Sequence, residues 1–140
     1  MSAPLLVAEA VTRRYRLPRR ALFSAPPVLT AVENAGFTLQ RGETLGIVGE
    51  SGSGKSTLAR MVMAFERPDE GRILFDGQDL SHLGPGALRR LRQRFQMVFQ
   101  DPYGSLDPRR TVGWSIAEPL RPIGAEAGTK VDEVRRQVGL

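Results

Sequence analysis

The stretch that decides the fold is GESGSGKS, which runs from Gly49 to Ser56 and fits the pattern G-x-x-x-x-G-K-[ST] of a phosphate-binding loop. Its glycines allow positive φ and let the backbone pass close to a polyphosphate, so that successive N–H groups converge on the phosphate oxygens. Lys55 adds a positive charge for the β- and γ-phosphates. The alternative is a chance glycine-rich turn, which the flanking sequence has to exclude.

The segments on either side of this loop have the pattern that a phosphate-binding loop requires. The run from Thr44 to Val48 is apolar without alternation, which predicts a central parallel strand covered on both faces. After the loop, Leu58, Met61, Val62 and Phe65 recur at helical spacing, and a proline follows as a stop signal. A strand, the loop and an amphipathic helix in this order favour nucleotide binding over a chance turn.

The start of the predicted helix is the second part of the anion site. Its unpaired N–H groups and the positive end of its dipole face the phosphates. Ser56 can offer its hydroxyl to Mg²⁺, which bridges the β- and γ-phosphates, and Thr57 can contact the α-phosphate. The predicted cofactor-binding residues of this segment are Gly49, Glu50, Ser51, Gly52, Ser53, Gly54, Lys55, Ser56 and Thr57.

The rest of the chain predicts short strands and helices without an internal repeat. The opening segment through Tyr15 predicts an edge strand, and a basic, proline-rich surface loop follows from Pro18 to Pro27. Further elements are predicted as strands at 35–39, 71–77 and 95–100, and as helices from Pro85, over 111–117 and around Val131, Val134 and Val138.

Composition narrows the class of protein. The 140 residues are 41% hydrophobic and 25% charged, which fits a soluble folded domain and disfavours disorder, collagen and membrane spans. The absence of cysteine excludes a disulfide framework and thiolate metal sites. A net charge of +5 permits contact with nucleic acid or anionic lipid. Four arginines of the 88–94 segment nevertheless surround a helix with an inward face of leucines, which favours a solvated helix face.

Three segments resemble the ATP-binding subunits of ABC transporters. The stretch from Arg41 to Thr57 is similar to the region around their phosphate-binding loop, and the stretch from Phe95 to Pro102 looks like their Q-loop and the strand before it. The stretch from Tyr103 to Gly113 resembles the PYGSLNPR-type segment of oligopeptide, dipeptide, nickel and glutathione importers. Asp107 stands where asparagine is commoner in that segment.

The resemblance implies an α/β fold of the P-loop NTPase class, in the form found in ABC ATPases. The part expected here is the antiparallel β-subdomain, the first part of the RecA-like core and the start of the helical subdomain. Residues 1–140 would then be an incomplete nucleotide-binding domain, because no signature motif and no Walker B strand occur before Leu140.

The same resemblance assigns roles to individual residues. Gln100 would reach the magnesium and the attacking water, which makes Gln100 and Lys55 the candidate catalytic residues and Ser56 and Gln100 the candidate metal ligands. Tyr15 would stack on the adenine of ATP. The alternatives are a polar residue at a strand end for Gln100 and a packed strand tyrosine for Tyr15.

The implied function is ATP-driven import of peptides or similar small solutes. The implied partners are ATP, integral-membrane permease subunits, a second ATPase subunit bound head to tail and, indirectly, a solute-binding protein, with no nucleic acid expected. Such a subunit is peripheral and lies at the cytoplasmic face of the cell membrane. The alternatives are another P-loop enzyme, an ABC-type ATPase that acts on nucleic acid or ribosomes, and a nucleotide-binding fragment without catalytic activity.

Overall fold

The computed structural model describes residues 3–19, 25–101, 104, 106–119 and 127–139. Half of the predicted basic loop (residues 20–24), Pro102 of the Q-loop stretch, and Tyr103 and Ser105 of the importer-like segment lie outside the described residues. The elements are β1 (Leu6–Arg16), β2 (Val28–Leu39), α1 (Lys55–Val62), β3 (Glu70–Phe75), β4 (Gln78–Asp79), α2 (Pro85–Leu91), a 3-10 turn (Arg92–Arg94), α3 (Val112–Ala117) and α4 (Ala127–Gln137).

The four strands form one antiparallel sheet in the order β2-β1-β3-β4. The prediction that the opening strand lies at an edge is wrong, because β1 is paired on both sides. Leu6, for example, is opposite Leu39 of β2 and Phe75 of β3. A strand with two neighbours loses its solvent-facing edge, and Val11 is completely buried. The partners lie far along the chain, so the local sequence carries no sign of them.

The hydrophobic core lies in the unit formed by residues 1–97 and joins this sheet to α1 and α2. Helix α1 buries Leu58 and Met61, as its helical spacing predicted, while Phe65 lies beyond the end of the helix and is exposed. The buried hydrophobic residues are Leu6, Ala8, Val11, Val32, Leu58, Met61, Ile73, Phe75, Leu80 and Leu91. The core therefore fixes the first helical turn of α1 relative to β1 and β2.

Two predicted strands are not strands in the structure. Residues 44–48 and 95–100 have no strand assignment, and Val48 and Val98 are 96% and 95% exposed. A strand is held by hydrogen bonds to a neighbouring strand, and among the described residues neither segment is paired with one. An apolar run alone therefore does not become a sheet strand.

The predicted helices agree better with the structure. Pro85 is the first residue of α2, where its missing N–H costs nothing. Thr111 caps α3, because its side-chain oxygen accepts a hydrogen bond from the backbone N–H of Trp114 at 3.2 Å. Helices α3 and α4 belong to a second compact unit, residues 98–140.

Candidate functional site

The loop that precedes α1 depends on glycine at two positions. Gly52 has φ +82° and Gly54 has φ +90°, a region that side chains with a Cβ rarely adopt. A Cβ on Gly54 would also collide with the backbone carbonyl of Ala31 in β2. Gly54 therefore lets the loop lie directly against the neighbouring strand.

Helix α1 begins where this loop ends. The N–H of Leu58 donates to the carbonyl oxygen of Gly54 at 2.9 Å, which closes the first helical turn. The N–H groups before it have no intrahelical acceptor, and the positive end of the helix dipole lies at the same place. The first turn contains no acidic residue to offset this charge. The helix start is therefore suited to an anion.

The ammonium group of Lys55 lies inside the curve of the loop. Its Nζ donates to the carbonyl oxygens of Gly49 at 2.7 Å and Glu50 at 2.6 Å, and to the hydroxyl of Ser53 at 3.3 Å. Three neutral oxygens from the loop thus surround one positive charge. Such an arrangement holds the cation where the oxygens of a phosphate could replace those of the loop.

A cleft of ≈ 270 Å³ opens beside the loop and the start of α1. One wall comes from Tyr15 of β1, a second from β2, and the floor from the loop and helix. The lining residues are Tyr15, Leu29, Thr30, Ala31, Gly52, Gly54, Lys55, Ser56 and Thr57. The structure thereby brings Tyr15 to the same cleft as the phosphate-binding loop, although Tyr15 precedes the start of the loop by 34 residues.

The other four predicted loop residues do not line this cleft. Gly49, Glu50 and Ser53 contact Lys55, and Ser51 is exposed in the same turn. Ser56 is exposed at the first turn of α1, where its hydroxyl is accessible to a ligand.

Tyr15 is held by groups that the sequence analysis did not identify. Its hydroxyl donates to Oε2 of Glu66 at 2.6 Å, and the guanidinium of Arg13 lies 4.9 Å from the centre of its ring. The Tyr15 hydroxyl, and then the charges of Arg60 and Arg13, hold the pKa of the Glu66 carboxyl below its usual value. Glu66 lies 51 residues from Tyr15, so no local pattern could have revealed the contact.

Gln100 belongs to the other unit and is exposed there. Its role at a metal and an attacking water stays a prediction. In the described part of the chain, no three His, Cys, Asp or Glu side chains are grouped so as to hold a metal ion. A magnesium ion near Ser56 would need oxygen ligands from phosphate and water, which is the way Mg²⁺ is usually bound.

Comparison with known proteins identifies the family. The sequence profile of the ABC transporter family matches residues 32–140. The chain belongs to the ABC transporter family. The fold of this ABC transporter chain is also similar to that of the dimeric ATP-binding cassette MJ0796 bound to ADP and Pi. The TM-score is 0.74 at 25% identity, and the match covers 91% of this chain and 53% of the cassette.

Two curated relatives of the ABC transporter chain are, by name, ATP-binding proteins for a peptide transporter and for glutathione import. It is 50% identical over 120 residues to a probable peptide ABC transporter ATP-binding protein, y4tS of Sinorhizobium fredii, covering 86% of this chain and 34% of that protein. It is 43% identical over 141 residues to the glutathione import ATP-binding protein GsiA of Escherichia coli, covering 98% of this chain and 23% of that protein. The chain thus spans about a third or less of the length of these relatives.

One further solved structure supports the fold alone. CbiO1 of Clostridium perfringens, part of the ABC transporter complex cbiONQ, matches with a TM-score of 0.71 at 23% identity, covering 99% of this chain and 52% of CbiO1. These likenesses confirm the predicted partial P-loop fold of ABC ATPases. Among the described residues, none of the helices is both long enough and apolar enough to span a bilayer.

Proposed function

We propose that this chain is the nucleotide-binding part of an ATPase subunit that couples ATP binding and hydrolysis to import of peptides or similar small solutes. The observation that carries the proposal is the position of the Lys55 ammonium, held by loop oxygens at one end of a cleft whose wall contains Tyr15. A cation, unpaired helix N–H groups and an aromatic ring in one cleft match the phosphates and base of a nucleoside triphosphate.

Different residues of the cleft bind different parts of the nucleotide. The loop N–H groups and Lys55 hold the β- and γ-phosphates, and Thr57 contacts the α-phosphate. Ser56 would supply one hydroxyl oxygen to Mg²⁺, which when bound would offset the negative charge of the phosphates. Tyr15 stacks on adenine. Gln100 belongs to the other unit, and its proposed role at the attacking water and the metal rests on the family resemblance rather than on the cleft.

The family resemblance extends the proposal to the partners. The similarity to y4tS and GsiA supports a peptide-like or glutathione-like solute. The subunit would lie on the cytoplasmic face of the membrane, bound to permease subunits, and pair head to tail with a second ATPase. A solute-binding protein would deliver the cargo. We propose that residues 1–140 form an incomplete nucleotide-binding domain, with the general base and the signature motif supplied by other sequence.

The arginines around α2 give little support to the alternative of an ATPase that acts on nucleic acid. Arg92 donates to the carbonyl oxygen of Ala64 and lies over the ring of Phe65. Arg94 donates to the carboxylate of Asp76 at 2.7 Å. Both side chains are thus engaged within the protein, and the similarity to y4tS and GsiA favours transport.

The test is nucleotide titration of the complete protein with Lys55→Ala. We expect ATP affinity to fall by about 100-fold or more, because the variant removes a charged donor to the phosphates. Lys130→Ala is the matched control: it makes the same chemical change at an exposed position of α4 and should bind ATP normally. Equal affinity of Lys55→Ala and wild type would contradict the proposal.

A further inference from the structure

The carboxylate of Glu66 forms a junction between α1 and β1, two of the elements that form the cleft. Glu66 follows the end of α1, and its backbone N–H donates to the carbonyl oxygen of Arg60 in that helix at 3.4 Å. Its side chain reaches β1, where Oε2 accepts from Tyr15 at 2.6 Å and from Nε of Arg13 at 3.2 Å. Its other oxygen, Oε1, pairs with Nε of Arg60 at 2.8 Å.

The hydrogen bonds of Glu66 are well suited to fix the orientation of the Tyr15 ring. The Glu66 side chain is only 15% exposed, so its hydrogen bonds face limited competition from water. A glutamate carboxyl is ionised at neutral pH, and the hydrogen bond from Tyr15 and the charges of Arg60 and Arg13 lower its pKa further. An ionised carboxylate can only accept hydrogen bonds. The Tyr15 hydroxyl therefore has to donate to it. Arg13, itself paired with Asp69 at 3.1 Å, restrains the ring from its face.

We propose that Glu66 is a positioning residue for nucleotide binding, which holds the ring of Tyr15 in the wall of the cleft so that the ring stacks on the base. The inference rests on the proposed function, because it requires a nucleotide in the cleft. It has a chemical consequence: the Tyr15 hydroxyl proton is committed to Glu66, so Tyr15 offers the base a ring face and no hydrogen-bond donor. Stacking without a donated hydrogen bond discriminates weakly between bases.

The experiment compares two ligands in the complete protein, ATP and inorganic tripolyphosphate, which has the phosphates and lacks the base. We expect Glu66→Ala to lower the affinity for ATP by about fivefold and the affinity for tripolyphosphate by less than about twofold, because only the stacking of the base is lost. Tyr15→Phe removes the same hydrogen bond from its other end and should give the same pattern. Glu66→Gln retains an acceptor oxygen and should restore most of the ATP affinity.

A purely structural role for Glu66 predicts different results. If Glu66 only holds α1 against β1, Glu66→Ala would weaken the binding of ATP and of tripolyphosphate by the same factor. Its effect on ATP affinity would also add to that of Tyr15→Ala. The positioning role instead predicts that Glu66→Ala changes nothing further once Tyr15 is alanine.

Failure of the inference about Glu66 and failure of the proposed function would give different results. If ATP binds with the expected dependence on Lys55 and Tyr15→Phe binds ATP as well as wild type, the role of Glu66 is refuted and the proposed function stands. If wild type shows no Lys55-dependent ATP binding, the proposed function fails and the inference fails with it. Should Glu66→Ala not fold, Tyr15→Phe and Glu66→Gln still decide the question.

Discussion

Gln100 is proposed to act in hydrolysis, whereas the residues of the cleft are proposed to bind the nucleotide. It is exposed and lies in the unit that also contains α3 and α4. We expect Gln100→Ala in the complete protein to leave ATP affinity within about twofold and to lower hydrolysis and transport by about tenfold or more, since the residue would orient the water rather than hold the phosphates.

Steady-state phosphate release, measured together with nucleotide titration, checks this expectation. Gln137→Ala is the matched control, because it truncates an exposed glutamine at the end of α4. An unchanged hydrolysis rate in Gln100→Ala would remove the residue from the mechanism. A parallel loss of ATP affinity would move its role to nucleotide binding.

At the scale of residues, the sequence predicted the part of the site that is local in the chain. Eight consecutive residues form the loop pattern, and their spacing is itself the chemical signal. Tyr15 could be proposed only from the family resemblance. Glu66 could not be proposed, because its contact with Tyr15 joins positions far apart in sequence and neither residue belongs to a motif.

At the scale of elements, the contact of the loop with β2 predicts that alanine destabilises the protein more at Gly54 than at Gly52. Gly52→Ala meets no atom within 4 Å and carries only the cost of a left-handed backbone, about 1–2 kcal/mol of unfolding free energy. Gly54→Ala has a similar φ and would also collide with the Ala31 backbone, so the expected loss exceeds about 3 kcal/mol.

Thermal unfolding of the complete protein measures this difference. Gly86→Ala in α2 is the control, because a Cβ there meets no atom within 4 Å and the backbone is already helical. That control should be neutral or stabilising by about 0.5 kcal/mol. Equal melting temperatures for the variants at Gly52 and Gly54 would mean that the loop does not lie against β2 as described.

Helices and strands differ in how well the sequence pattern predicts them. Helices form from bonds within a segment, so local signals such as Pro85 and the residue pattern over 111–117 predicted α2 and α3 close to their observed bounds. Strands form from bonds between segments. The pattern could therefore neither place β1 inside the sheet nor establish that residues 44–48 have a partner strand.

At the scale of the whole molecule, we expect purified residues 1–140 to show no ATP turnover above background. Phosphoryl transfer requires groups on several sides of the γ-phosphate, and the loop provides only one of them. Exposed apolar side chains such as Val48 and Val98 also predict a tendency to aggregate.

The measurement is phosphate release with Mg²⁺-ATP beside a Lys55→Ala control, after circular dichroism and size-exclusion chromatography have established the state of the sample. Robust Lys55-dependent turnover by a monodisperse sample would show that these residues carry their own catalytic base. The proposal of an incomplete nucleotide-binding domain would then be wrong.

The bonds of Lys55 within its own loop have a kinetic consequence. Because the ammonium spans Gly49, Glu50 and Ser53, its three hydrogen bonds tie the loop into its curved shape. On the proposed function, a triphosphate would replace these protein oxygens with its own around one cation, and on departure the protein oxygens would close around the charge again. The loop would then act as an ion exchanger, in which capture and release are opposite directions of one exchange.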